Sequence, residues 1–291
     1  MEGIIVKIIY KKVMELIGKI LDFLQTTMEV PTIYGWFHIM FILLTIAATI
    51  IVCVKFKDVD DKVFRRVVMI AWIISITFEL YKQISSSFSY TNGTIVFDYN
   101  WGYFPFQLCS SPFYIFPFIF LLKDGKLRDA FMSFAMTFAF FGGFVVMLYP
   151  GDVFNTFVGI NIQTMFHHGI QTMIGIYCMV YNRNRLNLKF WVQGIYVFVV
   201  FVLIAFLMNV SVYNILASLG IYETFNMFFI GPYYPCSLPL LSLIYPLVPY
   251  VVFLLIYVLG FTFISYLVYI VESNIYKACL KRSNYESKKS N

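Results

Sequence analysis

Charged residues are scarce in this sequence. They make up 12% of the 291 residues, whereas hydrophobic residues make up 60%. Because a water-soluble domain carries about 25% charged residues, this composition excludes an ordinary soluble fold. Several uncharged runs reach the roughly 20 apolar residues with which a helix crosses a bilayer. The sequence therefore predicts an all-α, polytopic membrane helix bundle.

The motifs of familiar metal and cofactor sites are also missing. The sequence contains no HExxH, no GxSxG, no P-loop and no dinucleotide fingerprint, so we expect neither a metal nor a cofactor. The net charge of +6 does not indicate nucleic-acid binding, since Lys and Arg in membrane proteins set orientation and contact lipid headgroups. Membrane lipids are the expected partners. Five cysteines, an odd number, do not suggest a disulfide framework.

Apolar runs predict about seven transmembrane helices. Before them, residues 1–27 place Ile and Leu three or four apart with Lys between, which predicts an amphipathic helix in the headgroup plane or packed on the bundle. The chain thus divides into an amphipathic interfacial segment (1–30), a bundle (34–271) and a basic tail (272–291). The predicted spans are 34–54, 67–84, 101–122, 129–149, 160–181, 190–212 and 243–271.

Basic residues concentrate on one side of these spans. Sixteen of the 21 Lys and Arg residues lie in loops 55–66, 123–128 and 182–189 and in the tail. The positive-inside rule then predicts a multi-pass cell-membrane protein with a cytoplasmic C-terminus. We expect the loop at 213–242, which is rich in aromatic residues, to pack into the bundle or over its outer mouth. The loops without Lys or Arg are 85–100, 150–159 and 213–242.

With this orientation, most polar residues of the spans fall in the outer half of the membrane. Ionisable groups are costly in a bilayer, so they normally face the bundle interior and mark a function. The alternatives are a local pair of Glu79 with Lys82 or Gln83, and an interfacial anchor at His38. We expect one outer cavity, with substrate-binding residues His38, Glu79, Gln107, Gln163, Asn209 and Asn226 beside Cys109, His167 and His168.

The surroundings of Cys109 distinguish it from an ordinary cysteine. A free cysteine usually packs as a small hydrophobic residue. Here Pro112 cannot donate to the carbonyl of Leu108, so we expect a kinked helix with a freed carbonyl beside the thiol. In the fifth span, Gln163, His167 and Gln171 form one polar stripe, and Thr164, His168 and Thr172 form the next. Two adjacent stripes favour a wide polar cavity over a single line of interhelical hydrogen bonds.

Several short motifs resemble the YwaF-like integral membrane family. The segment Pro105–Cys109 is similar to its LPLHLC-type signature, with Gln107 in place of the family's His. A eukaryotic branch of that family resembles a transmembrane acyltransferase that remodels ether phospholipids through a Cys and a His. The resemblance implies Cys109 as the nucleophile and His167 or His168 as the base. Other similar landmarks are His38, Tyr149-Pro150, His167-His168-Gly169, Asn226–Phe229, Pro246 and Pro249.

The leading hypothesis is therefore a membrane-embedded Cys/His acyltransferase that acts on membrane lipids through a thioester. A non-enzymatic lipid or small-solute binder or transporter is the alternative, with Glu79 and the histidines as proton-linked ligands. A third possibility is a disulfide between Cys109 and Cys236, which would remove the nucleophile.

Overall fold

The computed structural model describes residues 2–289, and side chains for residues 5–278. It is a helical bundle with one short antiparallel hairpin. The helices are α1 (Glu2–Leu24), α2 (Trp36–Lys55), α3 (Asp61–Ser87), α4 (Pro112–Leu121), α5 (Lys126–Phe134), α6 (Phe140–Leu148), α7 (Val158–Tyr181), α8 (Leu188–Ser218), α9 (Leu241–Ile244) and α10 (Tyr250–Lys289), and the strands are β1 (Phe88–Thr91) and β2 (Thr94–Phe97).

Among the described residues, four helices are long and apolar enough to cross a membrane. They are α2, the helix Lys126–Leu148 that joins α5 to α6, α8, and α10 as far as Ala278. They coincide with the first, fourth, sixth and seventh predicted spans and confirm a multi-pass α-helical membrane protein. Helices α3 and α7 have 27 and 24 residues, long enough to cross, but they carry more polar residues. Their crossing, and hence the number seven, stays a prediction.

The third predicted span is not one helix. Between Trp101 and Ser111 the chain forms two single 3₁₀ turns, and only α4 is α-helical. Pro112 does not kink a helix, as the sequence had suggested, but occupies the first turn of α4, where a missing N–H costs little. The carbonyl of Leu108 is not free either, because the amide and the hydroxyl of Ser111 both donate to it.

Side chains of other elements satisfy the backbone of this broken segment. The hydroxyl of Tyr114 donates to the carbonyl of Pro105 at 2.8 Å. Pro117, inside α4, cannot donate to the carbonyl of Phe113, and the indole N–H of Trp72 does so instead at 2.8 Å. Irregular backbone is tolerated at membrane depth when protein groups satisfy it in this way.

The basic loops meet at one end of the bundle, called here the basic end. The guanidinium of Arg128, 1% exposed, pairs with Asp61 at 2.6 Å and also with Asp124. Arg185 pairs with Asp129 at 2.5 Å. The tail belongs to the same end, since the hydroxyl of Tyr276 donates to Asn184. The charge-based grouping of these loops is confirmed, and their cytoplasmic location stays a prediction.

Helix α1 packs against the hairpin at the opposite end, called here the hairpin end. The amide of Gln25, just after α1, donates to the carbonyls of Ser85 at 2.8 Å and Phe88 at 2.7 Å. Gly18 allows close contact, because a Cβ there would lie 2.5 Å from the ring of Tyr90. An apolar face of α1 stays exposed, which agrees with an interfacial helix without demonstrating one. Met1, Ser290 and Asn291, at the ends of the predicted interfacial segment and tail, lie outside the described residues.

Helices α6 and α7 pack closely through small residues. A Cβ at Gly143 would lie only 2.9 Å from the carbonyl oxygen of His168. A single π-helical turn, Ala135–Ala139, precedes α6, and the amide of Gln171 donates to the carbonyl of Ala139 at 2.7 Å. Gly143 and the backbone of Ala139 therefore contact α7 directly, and this contact fixes the position of the polar stripes on α7.

Candidate functional site

The two polar stripes of α7 are buried over three turns. Gln163, His167 and Gln171 are each at most 4% exposed, and Thr164, His168 and Thr172 at most 6%. Buried polar groups are normally paired, so the stripes require partners from neighbouring elements or from a ligand.

A cavity of about 270 Å³ lies at the hairpin end and is lined by these stripes. It takes its other walls from α3, from the broken segment and from the loop after α6. Predicted site residues on its wall are Glu79, Gln107, Cys109, Gln163, His167 and His168. Lys82, Asp152 and the aromatic side chains of Tyr103, Phe104 and Phe154 complete it. We refer to it as the polar cavity.

His167 is fixed by the backbone of the predicted nucleophile. Its Nε2 lies 2.8 Å from the carbonyl oxygen of Cys109. A carbonyl only accepts, so Nε2 carries the proton and Nδ1 is the bare imine nitrogen. Within the described residues Nδ1 has no hydrogen-bond partner. The ring packs on Phe113 at 4.6 Å between centroids.

His168 has the complementary tautomer. Its Nδ1 lies 2.6 Å from the carbonyl oxygen of Thr164, one turn earlier on α7. Nδ1 therefore carries the proton, and Nε2 is bare and without a partner among the described residues. A neutral imidazole held by its Nδ1–H keeps Nε2 able to accept a proton.

The thiol of Cys109 is beside these rings without bonding to them. Cys109 is half-buried in the 3₁₀ turn Leu108–Ser110. Within residues 5–278 no hydrogen bond joins Sγ to either imidazole; the contact runs through the Cys109 carbonyl. Catalytic hydrogen bonds are often long or poorly aligned before substrate binds. Cys109 and Cys236 are both free thiols, so the structure does not contain the disulfide considered above.

Glu79 is a satisfied group on the cavity wall. Its carboxylate accepts from Lys82 at 2.9 Å and from Gln83 at 2.6 Å, which bears out the local pair. Its other oxygen lies 3.5 Å from the amide of Gln163 on α7. Glu79 thus connects α3 to α7 and also faces the polar cavity.

The predicted residue His38 does not line the polar cavity. It accepts from the amide of Tyr34 through Nδ1 at 3.0 Å and donates from Nε2 to the carbonyl of Met147 at 2.8 Å. Both nitrogens are used and the side chain is fully buried. His38 joins α2 to the end of α6. The sequence analysis expected it to bind a ligand, but in the structure it stabilises helix packing.

Asn209 and Asn226 also lie outside the polar cavity, where they hold the loop before α9. The amide of Asn209 exchanges two hydrogen bonds with the backbone of Met227. The side chain of Asn226 accepts from Gly231 and donates to Pro235. These bonds support Phe228 and Phe229, which both have left-handed φ angles, 56° and 55°, a conformation that is strained for bulky residues. As predicted, this part of the loop packs into the bundle: Met227 and Phe228 are at most 1% exposed.

A second, apolar pocket of about 160 Å³ lies on the other side of the Cys109 turn. Gln107 and Cys109 line both spaces. Helices α6 and α10 and the strained loop supply the remaining walls.

The sequence analysis did not include Asp152 of the polar cavity or Tyr257 of the apolar pocket among the site residues. Asp152 could have been found from the sequence, because it is the only charged residue in loop 150–159. Tyr257 could not, because it is one of 22 tyrosines and lies in an apolar helix.

The sequence matches the profile of the TMEM164 family over residues 33–269. The chain belongs to the TMEM164 family. The match includes both cavities, every helix from α2 to α9 and the first half of α10, and it begins after α1. No curated protein and no solved structure matches the chain. The family match does not confirm the YwaF-like resemblance or its acyltransferase branch, so membership in TMEM164 establishes a membrane protein family and leaves the activity to be proposed.

Proposed function

We propose that this TMEM164-family protein is a membrane-embedded acyltransferase that moves a fatty acyl group between membrane lipids through a thioester on Cys109. The observation that carries the proposal is a half-buried thiol and two buried imidazoles, each with one bare nitrogen, around a single cavity. A buried polar atom without a partner costs about 1–3 kcal/mol. Two such atoms beside one thiol support a site where substrate supplies the missing partners.

The reaction needs groups of this chain, one water molecule and two lipids. His168 takes the thiol proton at Nε2 through one water, and the thiolate attacks the ester carbonyl of a glycerolipid. The ester C–O bond breaks, the lipid alcohol leaves with the proton from the imidazolium, and the acyl group remains as a thioester. The hydroxyl of an acceptor lysolipid then gives its proton to His168 and attacks the thioester. The C–S bond breaks, and the imidazolium of His168 returns its proton to the thiolate, which restores the thiol.

His167 acts as a positioning residue in this scheme. Its Nε2–H holds the carbonyl of Cys109, and its bare Nδ1 is on the opposite part of the ring. The turn that bears the thiol has few backbone hydrogen bonds of its own, since Pro105 and Pro112 flank it. A hydrogen bond from α7 therefore keeps the nucleophile at a fixed height beside His168.

A second candidate function is a non-enzymatic lipid or solute binder. The pair of Glu79 and Lys82 on the cavity wall favours it, because acyl transfer does not require those charges. In that case Cys109 would be a packing residue and Glu79 a ligand.

A lipid-exchange assay with matched cysteine variants separates the two functions. Purified protein in lipid nanodiscs receives a phospholipid with a labelled acyl chain and a lysophospholipid acceptor. We expect Cys109→Ser to abolish transfer, because an alcohol is a far weaker nucleophile, while Cys53→Ser on α2 transfers at the wild-type rate. Equal transfer by wild type and Cys109→Ser would overturn the proposal. Lipid binding that Glu79→Gln removes, without any transfer by wild type, would establish the binder.

A further inference from the structure

The apolar pocket and the polar cavity meet at one residue, Cys109. The pocket walls are aromatic and aliphatic, with Phe141, Phe228 and Leu238 among them, whereas the polar cavity holds the ionisable groups. An ester to be attacked by Cys109 has the same division, with an apolar chain on one side of the carbonyl and the glycerol and headgroup on the other.

We propose that the apolar pocket is the acyl-chain site, and that the hydroxyl of Tyr257 donates a hydrogen bond to the carbonyl oxygen of the acyl group bound there. This inference rests on the proposed function, since it names the place of the chain and the donor for that transfer. The occupant is the fatty acyl chain of a membrane glycerophospholipid.

The size and position of the pocket agree with a chain that is only partly enclosed. Its volume of about 160 Å³ is below the roughly 300–1,000 Å³ of pockets that enclose a whole small ligand. One wall residue, Val145 on α6, is 41% exposed on the outside of the bundle. The first carbons of a chain would lie in the pocket, and the remainder would extend past α6 into the bilayer.

The hydroxyl of Tyr257 is a donor on the wall of this pocket that lacks a use in the fold. The side chain is 1% exposed, and its oxygen has no hydrogen-bond partner among the described residues. Other buried or half-buried tyrosine hydroxyls are used: Tyr114 donates to Pro105 and Tyr177 to Phe56. Since a buried tyrosine hydroxyl usually finds a partner, a carbonyl oxygen of the ligand is the partner that fits this pocket.

The side-chain amides near Cys109 each have one N–H engaged in holding the strained loop. The amide N–H of Gln107 donates to the carbonyl of Asn226 at 3.0 Å, and its free oxygen can only accept. The amide N–H of Asn226 donates to Pro235. Among the described residues that line the apolar pocket, Tyr257 is the side-chain donor with no partner in the fold, and it is the donor assigned to the negative oxygen that forms when the thiolate attacks.

The first test compares Tyr257→Phe with Tyr177→Phe at the basic end. Because the Tyr257 hydroxyl has no partner in the protein, Tyr257→Phe should keep the wild-type thermal midpoint and KM while kcat for transfer falls about 10²-fold. Tyr177→Phe loses a hydrogen bond to Phe56, so it should lower the thermal midpoint and keep kcat. Wild-type kcat in Tyr257→Phe would overturn the role of this hydroxyl.

The second test locates the chain without requiring chemistry. Cys109→Ala protein in nanodiscs is photolysed with a glycerophospholipid that carries a diazirine on the acyl carbons next to the ester. We expect cross-links at Phe228, Leu238 or Tyr257; cross-links confined to α1 or to the lipid-facing side of α2 would overturn the pocket assignment. Hydroxylamine-sensitive label on wild-type Cys109 is scored separately. If that label never forms, the proposed function fails, and the cross-links alone decide whether the pocket binds a chain.

Discussion

The Nε2–H of His167 donates to the carbonyl oxygen of Cys109 over 2.8 Å. This bond connects the polar face of α7 to the irregular segment that bears the thiol. The adjacent histidines differ in their contacts: His167 donates to the backbone of Cys109 through Nε2, whereas His168 donates to the carbonyl of Thr164 through Nδ1. In the proposed mechanism His167 positions the thiol and His168 is the base.

Substitutions at the two histidines should therefore behave differently. At position 167 a donor is sufficient, so His167→Gln should retain much more transfer activity than His167→Ala, which we expect to lose about 10²-fold through misplacement of the thiol. At position 168 a base is needed, so His168→Gln and His168→Ala should lose transfer equally, by 10²–10⁴-fold as an order of magnitude.

Initial rates in nanodiscs at saturating lipid measure this difference, and thermal midpoints show that each variant is folded. Equal losses for Gln and Ala at position 167, or partial rescue by Gln at position 168, would contradict the division of roles.

Adjacent glycines on α6 should respond oppositely to alanine. A methyl group at Gly143 would lie 2.9 Å from the backbone oxygen of His168, whereas one at Gly142 would meet nothing closer than 3.5 Å. Gly143→Ala should destabilise the protein by about 1–3 kcal/mol, the usual cost of overpacking. Gly142→Ala should leave stability unchanged or raise it by up to about 1 kcal/mol. Thermal unfolding in detergent measures both, and a stable Gly143→Ala would show that α6 and α7 are farther apart than described.

Asp61 at the basic end should make stability depend on pH. Partial burial raises the pKa of Asp61, but hydrogen bonds from Arg65, Arg128 and Tyr181 outweigh it and hold the pKa below the ordinary 3.8. A lowered pKa in the folded protein means that the carboxylate stabilises the fold above about pH 4 and that this contribution disappears as the pH falls through the folded pKa.

Wild type should therefore have a higher thermal midpoint than Asp61→Asn above about pH 4, with the difference shrinking in stronger acid. Asp58→Asn is the control, because Asp58 is 61% exposed and exposed ion pairs contribute little. A difference between wild type and Asp61→Asn that persists unchanged in stronger acid would rule out this linkage.

The two ends of the bundle should lie on opposite sides of the membrane. Cysteines introduced at Asn92 in the hairpin and at Lys123 in the loop after α4, both exposed positions, test this in a background whose native cysteines do not label. We expect a membrane-impermeant maleimide to label Asn92→Cys in intact cells and Lys123→Cys only after permeabilisation. Labelling of both in intact cells would refute the predicted topology.

Charge and hydropathy predicted the bundle because the bilayer strongly favours apolar residues and penalises charged ones. The grouping of loops into two ends followed from Lys and Arg positions, and the polar stripes of α7 followed from helical periodicity. The break before α4 was harder to predict. Pro112 has no N–H whether it kinks a helix or begins one, and the choice depends on partners such as Trp72 and His167 that only the fold brings near.

The polar residues predicted at one depth of the membrane do not all line one cavity, for a similar reason. Depth follows from residue number, but the direction of a side chain depends on which backbone groups lie opposite it. The carbonyl of Met147 accepts a hydrogen bond from His38, and the carbonyl of Met227 accepts one from the amide of Asn209. Tyr257 is different, because no feature of the sequence distinguishes it from the other tyrosines. It was selected because its buried hydroxyl has no hydrogen-bond partner among the described residues.

A single-turnover labelling experiment tests the central claim most directly. Purified wild-type protein is incubated with a phospholipid labelled in its acyl chain and without an acceptor lipid, and each cysteine peptide is examined by mass spectrometry before and after hydroxylamine. The account predicts one acyl group on Cys109, removed by hydroxylamine, and none on Cys53, Cys178, Cys236 or Cys279. Absence of acylated Cys109, or acylation spread equally over these cysteines, would contradict it.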